Sequence, residues 1–218
     1  MSQTNTTSGK LILVRHAESE WNALGLWTGQ TDVNITEKGQ KDAAKLGGLI
    51  KDLDPDFIYT SEQVRTQQTL KHLLTGAEKP NAPAHKPTAQ LNERHYGEYT
   101  GKNKWEVQKL VGDEMFTGIR RGWEHPIPGG ETMKMVYERA VPFYKDAIVP
   151  QLLAGNTVLV VSHGNTIRSL IKYLENISDE GIADVEMTFD QILIYEVDQD
   201  GRNLSKEVRK IEIEPSKA

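Results

Sequence analysis

The chain contains no cysteine, which excludes a disulfide framework, thiolate catalysis and thiolate metal ligands and fits a reducing compartment. No apolar run approaches bilayer length, and residues 1–10, with Ser, Thr, Asn and Gln but no apolar stretch, do not read as a signal peptide. A cytoplasmic protein without a membrane partner is therefore expected. Basic surplus is lacking too: the formal net charge is -5, whereas binders of nucleic acid or anionic membranes carry an excess of Lys and Arg. Nucleic acid is thus not an expected partner. Six histidines are present, yet no His-x-x-x-His, His-Glu-x-x-His or Asp-x-Asp-x-Asp-Gly spacing accompanies them, so no metal is expected. His72, His85 and His125 are assigned to surface or loops. Neither a Walker-type loop nor Gly-x-Gly-x-x-Gly after a strand is found, which argues against a nucleotide. Internal repeats, heptads and low-complexity tracts are absent as well.

What is present fits one folded unit. A length of 218 residues suffices for a full core without a second domain; residues 1–9 read as a disordered leader and residues 10–218 as a single domain. Two short apolar runs rich in β-branched residues, Leu11 to Val14 and Val158 to Val161, read as buried strands. Each turns polar at a histidine, Arg15-His16 in one case and Ser162-His163-Gly164-Asn165 in the other. The carboxyl ends of strands are where open α/β sheets hold ligands, so the two histidines could share one pocket. Arg15, Arg65, Arg120 and Arg121 could converge there, and an anionic small molecule would be favoured over a polymer.

Between these strands the pattern alternates. Glu18 to Asn34 reads as an irregular but ordered lid anchored by Trp21, Leu24, Leu26 and Trp27. Thr36 caps a helix carrying Ala43, Leu46, Gly47, Leu49 and Ile50, which Asp54-Pro55 stops. Phe57 to Thr60 is a strand, and Ser61 caps a helix to about Thr75. Thr88 to Leu91 reads as a further strand. Helical pieces from Lys102 to Arg121 break at Gly112, and a loop runs from Gly122 to Gly130. The longest helix starts at Thr132 and is expected to kink at Pro142. After the His163 strand come a helix from Thr166 to about Leu174, a short acidic helix near Ser178 to Val185, and a hairpin, Ile192 to Val197 and Leu204 to Ile213, turning at Asp200-Gly201. This predicts an α/β fold: three layers, αβα, with a mostly parallel central sheet and an antiparallel edge strand.

Arg15-His16-Ala17-Glu18-Ser19-x-Trp21-Asn22, paired with Ser162-His163-Gly164-Asn165-x-x-Arg168, resembles the histidine phosphatase superfamily. Leu91-Asn92-Glu93-Arg94-His95-Tyr96-Gly97 and Arg120-Arg121-Gly122 resemble its branch of cofactor-dependent phosphoglycerate mutases. Thr60-Ser61-x-x-x-Arg65-x-x-x-Thr69 is similar to the family's phosphate-contacting arginine pattern. The resemblance runs from about Lys10 to Asp198 and implies a phosphoglycerate mutase-like fold. It also implies interconversion of 3-phosphoglycerate and 2-phosphoglycerate through a phosphohistidine, primed by 2,3-bisphosphoglycerate. Such an enzyme serves glycolysis and gluconeogenesis, and a homodimer is compatible with it.

A phosphoryl group carries about two negative charges near neutral pH, and its transfer needs that charge neutralised without blocking in-line attack. On this reading His16 is the nucleophile, since imidazole with a reference pKa of about 6.5 is largely neutral in the cytoplasm. Arg15 and Arg65 bind the equatorial oxygens, with His163 and the N–H groups of Gly164 and Asn165 as further donors. The resemblance makes Glu93 the acid/base for the glycerate oxygens, and Tyr96, Lys104, Arg120 and Arg121 the holders of the other anionic end. Asn22, Thr28 and Gly29 complete the match on the lid. Three departures stand out: Ala17 where the family usually has glycine, placing a methyl next to the phosphate site; Thr66-Gln67-Gln68 after Arg65; and Thr188-Phe189-Asp190 in place of a Pro-Thr-Gly turn. The alternatives are a histidine phosphatase acting on other small phosphate esters, or a non-catalytic phosphate-ester sensor.

Overall fold

The apolar run at the start of the chain forms β1 (Lys10–Arg15) in the middle of a six-stranded sheet. Its alternating side chains divide the interior in two: Leu11 and Leu13 face one helical layer, Ile12 and Val14 the other. The computed structural model describes residues 9–213. The leader expected over residues 1–9 lies outside them except for Gly9, which is buried and donates its N–H to the Leu152 carbonyl.

Beyond β1 the chain forms α1 (Glu20–Ala23), α2 (Glu37–Gly48), β2 (Phe57–Thr60), α3 (Val64–Gly76), β3 (Lys86–Pro87), α4 (Lys104–Val111) and α5 (Asp113–Arg121). Then come α6 (Met133–Phe143), α7 (Val149–Leu153), β4 (Val158–Ser162), α8 (Gly164–Leu174), β5 (Gln191–Val197) and β6 (Asn203–Lys210). Strand order is β3-β2-β4-β1-β5-β6. β1, β4, β2 and β3 are parallel neighbours, β5 runs antiparallel to β1, and β6 antiparallel to β5. The antiparallel strand is therefore β5, inside the edge, with β6 completing the expected hairpin. Helices α2 and α3 cover one face of the sheet through Leu46, Leu70 and Leu73, with Ile50 just beyond α2. Helices α6 and α8 cover the other through Ala140, Val141, Ile167, Leu170 and Ile171. This is the three-layer αβα arrangement. A third, smaller core of Trp27, Tyr96, Val107, Phe116, Ile119 and Ile127 lets α4 and α5 stand over the strand ends.

Several local expectations are corrected. The lid is not wholly irregular: Ser19 closes a capping box with Asn22 and starts the one-turn α1, while Leu24, expected as an anchor, is 63% exposed. Helix α2 stops at Gly48, before Asp54-Pro55. Ser61 does not cap α3, whose N-cap is Gln63. The strand expected over Thr88 to Leu91 is a 3₁₀ turn at Ala89–Leu91; only Lys86–Pro87 pairs with β2, and the chain then turns so that Leu91 can accept the Ser162 hydroxyl across the strand ends. The kink expected at Pro142 is a π-turn, Tyr144–Ile148, joining α6 to α7. Proline lacks an N–H for the helical ladder, and the wider turn absorbs the mismatch. Helix α8 begins at Gly164, two residues before Thr166, and the acidic segment is a 3₁₀ turn, Gly181–Asp184.

Candidate active site

Because β1 and β4 are adjacent and parallel, Arg15 pairs with Ser162 in the register. The residues that follow must then leave the sheet side by side. His16 N–H donates to the Ser162 carbonyl at 2.8 Å, and the His16 and His163 ring centroids are 5.0 Å apart. A cavity of about 520 Å³ opens at this end of the sheet. All the site residues expected from the sequence line it except His163, which is fully buried behind His16. Its walls carry six cationic side chains (Arg15, Arg65, Lys104, Arg120, Arg121 and Arg168) against three carboxylates (Glu93, Glu186 and Asp190).

His16 is buried, and its Nδ1 lies 2.7 Å from the Ala17 carbonyl oxygen. A carbonyl can only accept, so Nδ1 carries the proton and Nε2 keeps a free lone pair. Burial, reinforced by the Arg65 and Arg15 charges, pulls the His16 pKa well below its usual 6.5, so the ring is neutral. His163 is pulled down likewise by burial, Arg65 and His16; its Nε2 lies 2.8 Å from Ser61 Oγ. Ser61 thus orients the second histidine instead of capping a helix, and its hydroxyl also accepts the Gln63 N–H. The N–H groups of the first turn of α8 have no intrahelical acceptor, and with the helix dipole they favour an anion in front of Gly164.

Arg15 donates from Nη1 to the Met187 carbonyl and lies with Cζ 3.8 Å from the centre of the Phe189 ring. Arg65 is fully buried and donates to the carbonyls of Gly29 and Thr31, tying α3 to the lid. Burial lowers both guanidinium pKa values to about 10, which leaves them charged at neutral pH. Thr69 accepts the Ala17 N–H and donates to the Arg65 carbonyl, locking the loop after His16 to the same helix. Gly29 has φ +53, and a Cβ there would meet the Tyr96 backbone N at 3.3 Å, so this lid position requires glycine. Trp27 pins the lid by packing its ring 4.4 Å from that of Tyr96.

Glu93 is buried, and Oε1 accepts the Arg94 N–H at 2.7 Å. Its backbone is clamped on both sides. Gln63 Oε1 accepts the Glu93 N–H, while Gln30 and Arg139 donate to the Glu93 carbonyl. Arg139 also grips Glu131 through Nε and Nη2, and Glu131 accepts the His95 N–H. On the far wall the Tyr96 hydroxyl accepts from Asn165, whose Oδ1 accepts from Arg168. Lys104 is half-buried, and burial together with Arg120 and Arg15 lowers its pKa to about 8. Arg120 lies over the Phe116 and Trp105 rings, whereas Arg121 is paired with Glu186 at 2.6 Å.

Residues 11–209 match the model of the histidine phosphatase superfamily, branch 1. The chain belongs to this superfamily. Among its histidine phosphatase relatives, a 2,3-bisphosphoglycerate-dependent phosphoglycerate mutase from Streptomyces avermitilis is 41% identical, covering 90% of this chain and 88% of that protein. A 2,3-bisphosphoglycerate-dependent phosphoglycerate mutase 2 from Latilactobacillus sakei is 38% identical, covering 90% of this chain and 97% of that protein. The solved structure of Bacillus stearothermophilus YhfR superposes with a TM-score of 0.78 at 27% identity, covering 90% of this chain and 94% of that one.

Within this histidine phosphatase site, two features differ from expectation. The Ala17 methyl does not enter the cavity: it packs with Ile35 and Ala43 under α2, because the residue after His16 points to the opposite side. The Thr188-Phe189-Asp190 departure does line the cavity; sequence reasoning missed Ser61, Gln63, Arg139 and Glu131 as supports and Arg168 as cavity wall. Arg168 stood within the quoted Ser-His-Gly-Asn-x-x-Arg wording. The others carry no local signal, since Arg139 is 46 positions from the Glu93 carbonyl it holds.

Proposed function

We propose that this protein interconverts 3-phosphoglycerate and 2-phosphoglycerate through a phosphohistidine at His16. Supporting the reading are the phosphoglycerate mutases at 41% and 38% identity. The observation that carries it is a second cationic group, Lys104, Arg120 and Arg121 from α4 and α5, lining the same cavity as Arg15, Arg65 and His16. A phosphatase needs one phosphate site. A mutase must also hold the non-reacting carboxylate or phosphate of the same glycerate while the reacting group changes oxygen.

The steps follow from the groups present. His16 Nε2 attacks phosphorus as the P–O bond breaks, and Glu93 gives a proton to the departing oxygen. The imidazole becomes cationic, with its Nδ1–H still on the Ala17 carbonyl. Arg15, Arg65 and the α8 N-terminus balance the charge on the phosphoryl oxygens. In the return step a glycerate hydroxyl attacks phosphorus, the Glu93 carboxylate takes its proton, and the N–P electron pair returns to Nε2. His163, held by Ser61, keeps the His16 ring in place from behind.

The cavity suits 2,3-bisphosphoglycerate as primer. Cations outnumber carboxylates on its walls, and among the described residues Arg15 Nε and Thr28 Oγ1 are buried without a hydrogen-bond partner. When bound, this compound supplies the phosphoryl group that first charges His16. The lack of cysteine suits a reducing compartment such as the cytoplasm; among the described residues no helix is long and apolar enough to cross a membrane.

Phosphorus NMR of a primed reaction started with 3-phosphoglycerate tests the reading: 2-phosphoglycerate should accumulate, with free phosphate a minor product. Free phosphate as the main product would instead make the protein a phosphatase.

A further inference from the structure

We infer that Phe189 decides how the phosphoryl group on His16 divides between a glycerate hydroxyl and water, by covering the approach beside Arg15. The inference rests on the reading that His16 is phosphorylated. The Phe189 ring lies 3.8 Å from Arg15 Cζ and edge-on to the His16 ring at a centroid distance of 5.9 Å. It is half-buried and forms part of the cavity wall.

The ring is held in place by its neighbours. Met187, only 3% exposed, accepts from Arg15 Nη1 through its carbonyl. The Thr188 hydroxyl bonds the Asp190 carboxylate, and β5 begins at the next residue, Gln191. Hydrogen bonds on both sides of Phe189 thus aim the ring at the guanidinium. Stacking on an aromatic face fixes the plane of a guanidinium while leaving its in-plane donors for oxygen ligands.

The same position has a consequence for water. Hydrolysis requires a water oxygen to attack phosphorus, the N–P bond to break with its electron pair returning to Nε2, and the Glu93 carboxylate to accept a proton. The products are inorganic phosphate and neutral His16. A water beside Arg15 would meet a hydrocarbon ring that offers neither donor nor acceptor in its plane. A glycerate arrives already anchored by its anionic end at Lys104 and Arg120, so the ring obstructs it less. Excluding water from a reactive intermediate is a recognised use of an apolar wall, and Phe189 supplies that wall beside the nucleophile.

The test uses the full chain, phosphorylated from labelled 2,3-bisphosphoglycerate and freed of donor by rapid gel filtration. Two rates are read: spontaneous decay of the phosphohistidine to free phosphate, and transfer of label to added 3-phosphoglycerate. In Phe189→Ala decay should accelerate by roughly tenfold or more while transfer changes much less. Phe189→Leu keeps apolar bulk without the aromatic face, and its decay should stay near that of the parent protein. Unchanged decay in Phe189→Ala overturns the inference. So does an equal change in both rates, which would mean that the ring only steadies Arg15, and so does a Leu variant that decays as fast as the Ala variant. A parent protein that forms no phosphohistidine overturns the proposed function itself, a result distinct from all of these.

Discussion

His16 Nδ1 lies 2.7 Å from the carbonyl oxygen of Ala17, and this contact selects the ring nitrogen that can attack. Nitrogen NMR of the imidazole should show a proton on Nδ1 and a lone pair on Nε2. Because burial and the Arg65 and Arg15 charges pull its pKa well below 6.5, the signal should not titrate between pH 8 and about 6.5. A proton on Nε2, or an imidazolium at pH 7, would contradict the assignment.

Lys104 should provide the alkaline limb of the pH profile. Its pKa is lowered to about 8, so the charge is present below that pH and is lost as pH rises through it. The profile of kcat/KM reports groups of the free enzyme and should fall above about pH 8, with kcat affected less once the anion is bound. In Lys104→Arg the fall near pH 8 should disappear, because a guanidinium stays charged. An unchanged limb in that variant would assign it to another group.

Arg139 holds the Glu93 segment without lining the cavity. It donates to the Gln90 and Glu93 carbonyls and grips Glu131. Although burial raises the Glu131 pKa, Arg139 and the His95 N–H hold that carboxyl below its usual range. Arg139→Met should let the Glu93 carboxylate wander and lower kcat on phosphoglycerate by roughly 10-fold to 100-fold. KM and phosphorylation of His16 by an activated aryl phosphate should change little, and Arg139→Lys should restore part of the loss. A rise in KM at constant kcat would show that Arg139 supports ground-state binding instead.

The pattern of what was legible in the chain follows from how far each signal reaches. β1 and β4 were readable because four consecutive apolar residues followed by a histidine form a local signal, and their parallel pairing then brings His16 and His163 together. Glu93 and Lys104 were reached only through family resemblance, since a single charged residue in a loop or helix has no distinguishing periodicity. Ser61 was misassigned for a physical reason: a serine before a helix is a good N-cap, but a buried imidazole 102 positions away claims its hydroxyl. Leu24 and the turn at Ala89–Leu91 fail similarly, because tertiary constraints at the strand ends override local hydrophobicity. Phe189 could be seen as a departure, but nothing local showed that its ring would lie on Arg15.

The helical layer behind β1 and β2 depends on two close backbone crossings. A Cβ on Gly47 would sit 2.0 Å from the Leu73 carbonyl oxygen, and one on Gly76 would sit 1.8 Å from that of Ala44. Gly47→Ala should therefore force α2 and α3 apart and lower unfolding free energy by about 1–3 kcal/mol or more. The Gly48→Ala control meets nothing within 4 Å and should be neutral or slightly stabilising. Urea midpoints compare the two, and equal midpoints would contradict the packing described.

The proposed reaction runs through a phosphoryl group carried on His16 and passed to a glycerate. The direct measurement is rapid-quench labelling from 2,3-bisphosphoglycerate, with quenching in base, peptide mapping, and a chase by unlabelled 3-phosphoglycerate in a parallel sample. An acid-labile label is expected on His16 alone, absent from His16→Ala, and discharged to the glycerate at least as fast as the enzyme turns over. Label on His163, label that persists in His16→Ala, or a His16 label that the glycerate fails to discharge would contradict it.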